Sequence, residues 1–233
     1  MIFHRPLVAL AALSVAVPAM AAERSVGVGS FSRVRIEGAF DVVVRTGSPA
    51  VRISGERREI EALDVHTDGE TLVVRRSVSG GHAERSAAAA PVALTLATPM
   101  LTAAIVTGDA RVAIARMAGR QVSLSIAGAG GVTVAAVAAD RVDVLVIGAG
   151  SLTIAGKAGT ARLTTNGPGT IDAGKLDTGD LVVRLDGLGT TRAAARYTAT
   201  VTNAGLGTVA IAGGAKCTVT SSAGGPVTCG PQR

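Results

Sequence analysis

Apolar and polar residues alternate along most of the chain, and this period of two predicts β-strands with one buried and one solvent-facing side. The alternation is clearest around a series of glycine-rich turns. The apolar positions around these turns are Val122, Leu124, Ile126, Val132 and Val134, then Val142, Val144, Val146, Leu152 and Ile154, and later Leu181, Val183, Leu185, Val209 and Ile211. The intervening positions often hold Ser, Thr, Asp or Arg, so each strand has one apolar face to bury.

The glycine-rich turns repeat at a nearly constant interval of about 19 residues. They are Gly108, Gly128-Ala129-Gly130, Gly148-Ala149-Gly150, Gly167-Pro168-Gly169, Gly187-Leu188-Gly189, Gly205-Leu206-Gly207 and a degenerate Gly224-Gly225. An antiparallel sandwich gives no reason for such a period. In a parallel solenoid, equivalent residues of successive coils lie above one another, about 4.8 Å apart. We therefore predict an all-β fold, a parallel β-helix with glycine at corners where a tight turn needs φ > 0.

Residues 22–91 are also rich in predicted strands but lack the glycine period. The expected strands are 31–36, 40–45, 51–54 and 71–75, separated by turns at 46–49 and 67–70. Residues 56–63 fit a short helical turn, and 79–91 fit a loop. We expect this part to start the solenoid and to close its apolar end. A single domain over 22–233 follows, with the glycine-cornered repeats in 92–233.

Residues 1–21 have the pattern of an export signal. A short basic segment at 1–5 precedes the apolar segment 7–17, and Ala19-Met20-Ala21 is a small-x-small site with cleavage expected after Ala21. The alternative is a membrane anchor, but the apolar run of about 11 residues is shorter than the roughly 20 that a span needs. We therefore expect a periplasmic or secreted protein that is not inserted in the membrane once the signal is removed.

Composition narrows the class of partner. The aromatic residues are Phe3, Phe31, Phe40 and Tyr197, and there is no Trp, which argues against a binding platform of stacked rings. The net charge is +6, and the basic surplus of the predicted mature chain lies within 92–233. A basic surface attracts polyanions, but no run of basic residues exceeds two, which favours simple solubility. We predict no nucleic-acid partner.

The two cysteines, Cys217 and Cys229, lie close together near the end of the chain. In the oxidising compartment expected for an exported protein, a disulfide is the default pairing. A redox or metal-binding pair is the alternative, but the spacing is not C-x-x-C and no His lies nearby. In the chain-entropy model, a disulfide that closes a loop of this length stabilises the folded state by roughly 3 kcal/mol.

The motifs for cofactors and metals are incomplete. Residues 169–176 approach a P-loop but lack its Ser or Thr and a following helix, and none of the glycine triplets forms a dinucleotide fingerprint. The turns also lack the Asp of a calcium-binding solenoid repeat. His66 and His82 are expected to be solvated. We predict no cofactor and no metal site.

One cluster of carboxylates has catalytic potential. Asp172, Asp177, Asp180 and Asp186 fall within one predicted coil, and two of them facing a shared groove could supply acid and base for glycoside cleavage. The other interpretation is that 177–180 is a polar loop and that Asp186 is an ordinary outward position. It is favoured because no aromatic residue is available nearby to hold a sugar. We therefore predict no catalytic residue.

Several patterned segments resemble a known family. They are FSRVRIEGAFDVVVRTGSPAVRISGERREIEALDVHTDGETLVVR at 31–75, PVALTLATPMLTAAIVTGDARV at 91–112, and the recurring IxGxG units. In this order they look like the head GIN domain family, a domain of unknown function labelled putative auto-transporter adhesin. The resemblance implies a right-handed β-helix in an exported bacterial protein, and it brings no catalytic residues.

The function expected from these features is that of an exported, non-enzymatic β-solenoid, an adhesin-like surface or periplasmic binding or structural module. Its outward Thr, Ser and Arg side chains suit an extended glycan or a cell-envelope protein. We expect a monomer, because Pro226, Pro231 and the disulfide block the last strand edge. The alternative is a polysaccharide-degrading hydrolase or lyase that uses the Asp172–Asp186 cluster.

Overall fold

The computed structural model describes residues 22–77 and 92–230, and nearly all of its secondary structure is β-strand. The elements are β1 (Ala22–Val26), β2 (Arg33–Glu37), β3 (Asp41–Thr46), β4 (Ala50–Gly55), α1 (Arg57–Glu61), β5 (Leu63–Asp68), β6 (Thr71–Arg76), β7 (Ala93–Thr98), β8 (Ala103–Thr107), β9 (Arg111–Ile114), β10 (Met117–Ala127), β11 (Gly131–Ile147), β12 (Ser151–Asn166), β13 (Thr170–Asp186), β14 (Thr190–Ala194), β15 (Thr198–Asn203), β16 (Thr208–Ala212), β17 (Lys216–Ser221) and β18 (Val227–Cys229). Among the described residues, no helix is long and apolar enough to cross a membrane. The predicted signal at 1–21 and the predicted loop at 79–91 lie outside these residues.

Parallel strands stack into a β-solenoid of about six turns with a spacing of about 20 residues, which confirms the predicted fold class. Each complete coil has three straight segments, which we name faces 1, 2 and 3 in chain order. In β11 these are 131–134, 137–139 and 141–147, and each pairs in parallel with the equivalent residues of β12. The glycine triplet then leads from face 3 to face 1 of the next coil.

The interior of the solenoid is filled by columns of aliphatic side chains. One column on face 3 consists of Val122, Val142, Ala161, Leu181 and Ala199, which pair in register from coil to coil and are all buried. Burying a Val or Leu side chain contributes roughly 1.5–3 kcal/mol, so these columns supply most of the driving force for folding. The alternation seen in the sequence is therefore the division between the core and the outer surface.

Both glycines of each triplet lie close to the backbone of the preceding coil, and the first usually also has a conformation that favours glycine. The first usually has a left-handed conformation, with φ of 121° at Gly128 and 94° at Gly148, as the sequence analysis expects. The second is required for space. A side-chain carbon at Gly189 would lie 2.3 Å from the carbonyl oxygen of Gly169 in the preceding coil, too close for any other residue. The φ argument of the sequence analysis therefore applies to the first glycine of most triplets, whereas the close approach of successive coils constrains both glycines.

The corner at Gly205-Leu206-Gly207 is built differently. Its first glycine is not in the left-handed region, and the buried side chain of Asn203 shapes the turn instead. The Gly205 amide donates to Asn203 Oδ1 at 3.2 Å, and Asn203 Nδ2 donates to the Gly207 carbonyl at 2.8 Å. Both polar groups of the buried amide are thus satisfied, as burial demands.

The coils at the N-terminal end do not follow the order of the sequence. Strand β2 lies between β6 and β8, and β3 lies between β7 and β9, all in parallel. The chain therefore forms the inner coil β2–β3 first, then the outer coil β6–β7, and crosses to the other side of the inner coil to continue with β8–β9. The sequence analysis places these strands correctly but contains no indication of this order.

Antiparallel strands close the same end of the solenoid. Strand β5 pairs with β6, β4 pairs with β7, and β1 pairs with β4, all in antiparallel orientation. Ile60 of α1 is buried against the core. The helix lies within the predicted helical turn at 56–63. These elements end the parallel stack and confirm the predicted strand-rich N-terminal cap.

The disulfide lies at the opposite end. Cys217 on β17 is in register with Ala199, and Cys229 on β18 is in register with Ile211, so both cysteines occupy inward positions of the last coil. They are bonded, with Cα atoms 6.5 Å apart, which confirms the predicted pair. The bridge joins face 3 to face 1 at this end of the solenoid, where Cys217 packs against the core and Cys229 is exposed.

The space requirement at the second glycine predicts a large difference between two glycine substitutions. Gly189→Ala should lower the free energy of unfolding by roughly 1–3 kcal/mol, because the new carbon overlaps the Gly169 carbonyl. Gly214→Ala is the matched control, since nothing lies within 4 Å of its new carbon, and it should change stability by less than about 1 kcal/mol. Urea denaturation measures both, and equal effects would contradict the stacking argument.

The position of the disulfide predicts where its loss is felt. The double variant Cys217→Ser and Cys229→Ser should lower the free energy of unfolding by roughly 2–3 kcal/mol, because a loop whose ends are separated by 12 positions in the sequence is no longer closed. Hydrogen exchange should accelerate first in β17 and β18, which depend on the bridge. Uniform acceleration over all coils would contradict its role as a cap for one end.

Candidate functional site

The outward side of face 3 carries three rows of mainly hydroxyl and basic side chains in the last coils. We name it the threonine face. Its rows are Thr160, Asp180, Thr198 and Lys216, then Arg162, Val182, Thr200 and Thr218, and then Thr164, Arg184, Thr202 and Thr220. The backbone register brings each row into line across β12, β13, β15 and β17. Strand spacing places successive members of a row about 4.8 Å apart.

The threonine face has little relief. The hollow between Arg141, Arg162 and Thr200 has a volume of about 200 Å³ and is open to solvent. Its hydroxyl groups donate and accept hydrogen bonds, and its Arg side chains donate in a fixed fork. Such a surface can bind an extended polar polymer along the rows.

A larger hollow, of about 640 Å³, opens on face 1 between β3, β9, β11 and β12. Small residues such as Ala113 and Gly131 are among those that line it. Arg111 and Asp41 form an ion pair of 3.8 Å at its edge, and both are exposed enough for water to screen the pair. The hollow is a wide surface trough with a floor of backbone and small side chains.

The four aspartates of the predicted cluster lie on different sides of one coil. Asp172 is on face 1 beside Arg192, and its carboxylate accepts the Gly174 amide at 3.1 Å. Asp186 ends face 3 in register with Asn166. The alternative of a shared catalytic groove requires carboxylates to face one another, and the fold places these two on separate faces.

The other two aspartates flank a single corner between faces 2 and 3. Asp177 Oδ1 lies 3.0 Å from Arg196 Nε, and Asp180 accepts a hydrogen bond of 2.6 Å from the Thr198 hydroxyl. Gly179 forms the corner between them. This pair is the part of the sequence cluster that the fold brings together.

Two statements of the sequence analysis about this region are wrong. Residues 177–180 belong to β13 and do not form a loop, and Thr178 is buried within this segment. An aromatic residue is also nearby, because Tyr197 lies directly above Gly179 in the next coil. The spacing between coils could have predicted this proximity from the sequence, since Gly179 and Tyr197 are one coil apart.

The remaining chemical candidates lie elsewhere. His66 on β5 is half-exposed, with Nδ1 3.0 Å from Asp64. Hydrogen bonds from Arg75 and then from His66 lower the pKa of the Asp64 carboxyl below its usual value. Among the described residues, no three His, Cys, Asp or Glu side chains form a group that could hold a metal ion, and His82 lies outside them. Residues 170–176 of the P-loop-like segment are in strand β13.

The sequence profile of the family described as "Putative auto-transporter adhesin, head GIN domain" matches residues 30–215 of the chain. The chain belongs to the head GIN domain family. The match includes the elements from β2 to β16, and it confirms the resemblance seen in the sequence. Among curated proteins, none matches this head GIN domain.

Solved structures share the fold of this head GIN domain. A "putative adhesin" from Bacteroides fragilis superposes with a TM-score of 0.82 at 17% identity, over 90% of this chain and 96% of that one. A "putative lipid binding protein" from Parabacteroides distasonis gives 0.69 at 13% identity, over 91% and 98%. A "putative adhesin" from Parabacteroides merdae gives 0.69 at 13% identity, over 93% and 98%. At these identities the similarity shows the solenoid fold alone.

The corner between faces 2 and 3 contains a buried hydroxyl whose removal should stabilise the domain. Thr178 Oγ1 has no hydrogen-bond partner, so Thr178→Val should raise the free energy of unfolding by about 1 kcal/mol. Thr165→Val is the control, because the Thr165 hydroxyl bonds that of Thr191 at 3.3 Å and its loss leaves a buried hydroxyl without a partner. That control should lose about 1 kcal/mol. Thermal unfolding measures both, and a destabilised Thr178→Val would contradict the assignment.

Proposed function

We propose that this head GIN domain is an exported, non-enzymatic, adhesin-like module that binds an extended glycan along the threonine face. The observation that carries the proposal is the alignment of outward hydroxyl and Arg side chains across β12, β13, β15 and β17. The export signal pattern at 1–21 supports a periplasmic or secreted location. The adhesin names of the family and of similar structures agree with a binding role.

The ladder of hydrogen bonds between coils holds the threonine face in place before any ligand arrives. A preorganised surface loses less conformational entropy on binding than mobile loops do. Each exposed hydroxyl contributes little by itself, because water competes for its hydrogen bonds. A polymer with repeating polar units engages several rows at once, so the contributions add. This geometry favours an extended ligand over a compact one.

The basic residues of the threonine face add stronger and more directional contacts. Arg162 and Arg184 are both exposed and lie in adjacent rows on neighbouring strands. A guanidinium group presents its donors in a plane, which suits the paired oxygens of a sugar. The same geometry suits a carboxylate of a cell-envelope protein. The test described below therefore also distinguishes a glycan ligand from a protein partner.

The placement of the aspartates gives the hydrolase alternative no support of its own. Glycoside cleavage uses two carboxyl groups about 5–9 Å apart on opposite sides of the scissile bond. Asp172 and Asp186 lie on different faces, and Asp177 and Asp180 are each already engaged by a neighbouring side chain. The proposal is therefore one of binding without turnover.

Two arginines on opposite faces provide a matched test. Arg184→Ala should weaken binding of cellohexaose, chitohexaose or maltohexaose about fivefold to tenfold, which corresponds to roughly 1 kcal/mol of lost hydrogen bonding. Arg192→Ala removes another exposed arginine, on face 1, and should leave the dissociation constant unchanged. Isothermal titration calorimetry measures both variants against the unmodified domain.

Three results would contradict the proposal. One is an equal effect of the two arginine variants, and another is the absence of saturable binding to any of the three hexasaccharides. The third is release of new reducing ends that disappears in Asp180→Asn or Asp186→Asn, which would make the domain an enzyme. Capture of a cell-envelope protein that depends on Arg184, without sugar binding, would move the proposal to a protein partner.

A further inference from the structure

The corner between faces 2 and 3 exposes an aromatic ring. Tyr197 is 63% exposed, whereas Phe31 and Phe40 are buried in the core. The residue is held firmly by the ladder, because its amide donates to the Gly179 carbonyl at 3.0 Å and its carbonyl accepts from the Lys216 amide at 2.9 Å. A fixed backbone thus presents an uncovered ring on the outer surface.

The space beside the ring comes from the absence of side chains in the preceding coils. Four residues occupy equivalent positions in successive coils: Asp140, Gly159, Gly179 and Tyr197. The backbones stack closely here. A side-chain carbon at Gly179 would lie 2.7 Å from the Gly159 carbonyl oxygen, and a side-chain carbon at Gly159 would lie 2.7 Å from the Asp140 carbonyl oxygen. The ring atoms Cδ2 and Cε2 of Tyr197 lie 3.4 and 3.5 Å from where a Gly179 side-chain carbon would be. The ring therefore rests on bare backbone at this edge and stays largely exposed, although the Arg196 guanidinium group lies over part of it.

Polar groups border the ring on both sides. On face 2, Arg196 pairs with Asp177 at 3.0 Å, and its guanidinium carbon lies 5.4 Å from the centre of the Tyr197 ring. On face 3, Asp180 is bonded to Thr198 at 2.6 Å. Open hollows lie on the two faces beside this corner, one of about 390 Å³ that includes Arg196 and one of about 200 Å³ that includes Asp180 and Thr198.

We propose that Tyr197, with Asp177, Arg196 and Asp180, forms a subsite for one neutral pyranose unit. The C–H face of the sugar stacks on the exposed ring, and its hydroxyls donate to the two carboxylates and accept from the guanidinium group. This inference rests on the proposed glycan-binding function and adds a specific site to it. The subsite lies at the edge of the threonine face, because Asp180 belongs to both.

The two carboxylates at the corner favour a neutral sugar. Asp177 and Asp180 lie on either side of the ring, whereas the basic side chains that also border the corner, Arg141, Lys157, Arg162 and Arg196, are spread over the two hollows. An acidic sugar would meet the exposed Asp180 carboxylate on face 3 and be repelled by it. A neutral hexose or N-acetylhexosamine meets no such repulsion, and its hydroxyls match carboxylate acceptors.

The composition of the chain supplies a direct probe. Tyr197 is the only Tyr and there is no Trp, so the tyrosine fluorescence of the protein comes from this one ring. Titration with cellohexaose and chitohexaose should change that fluorescence in a saturable way, with the same dissociation constant that calorimetry gives. Heparin, as a polyanion, should not produce the change.

Variants separate ring stacking from general binding. Tyr197→Ala should weaken hexasaccharide binding about tenfold or more, whereas Tyr197→Phe, which keeps the ring, should bind within about threefold of the unmodified domain. Asp177→Asn should weaken binding less than Tyr197→Ala and should yield no new reducing ends. Arg184→Ala is the control on the threonine face. It should weaken binding and leave the size of the fluorescence change at saturation intact.

The outcomes distinguish this inference from the proposed function. Calorimetric binding that leaves the fluorescence unchanged and is equally tight in Tyr197→Ala would overturn the subsite and keep the threonine face as the binding surface. Absence of hexasaccharide binding would overturn both. A fluorescence response to heparin alone would overturn the neutral subsite.

Discussion

The structure depends on how closely the backbones of successive coils approach at the glycine triplets. A side-chain carbon at Gly187 or Gly189 would lie 2.7 or 2.3 Å from the carbonyl oxygen below it, so only glycine allows this stacking. Ladder bonds such as that from the Thr190 amide to the Gly169 carbonyl, at 3.1 Å, then set the register of the next coil. Because side chains alternate along a strand, fixing the register of one residue determines which of the following side chains point into the core and which point outward. The filled interior and the outward rows are two results of the same constraint.

The fold could be predicted from the sequence wherever its cause is local and repeated. The alternation and the glycine period are present in each coil separately, and they predict the parallel stack correctly. The position of β2 between β6 and β8 is different in kind. All three strands carry the same alternation, so any of them could neighbour another, and the choice depends on contacts between residues far apart in the chain. The local alternation of apolar and polar residues therefore does not predict the order of these strands.

The candidate site shows the same division. Asp177 and Asp180 could be named from the sequence, because acidic side chains on a β-helix are conspicuous. Their partners Arg196, Tyr197 and Thr198 lie one coil later and are adjacent only because the coils stack in register. Residues 177–180 have the composition of a turn, yet the ladder keeps them within β13 and buries Thr178. In a solenoid, residues that are one whole coil apart in the sequence are neighbours in space.

A solenoid with a filled interior binds its partners on the outside, where each coil offers only a few small side chains. A repeated surface such as the threonine face favours a repeating ligand, but it cannot decide the position of that ligand. Sliding a polymer by one unit restores nearly the same contacts. A single feature that is not repeated removes this ambiguity. Tyr197 is such a feature, because the two preceding coils have Gly159 and Gly179 at its position. One sugar stacked on Tyr197 would fix the positions of all the remaining sugar units along the rows.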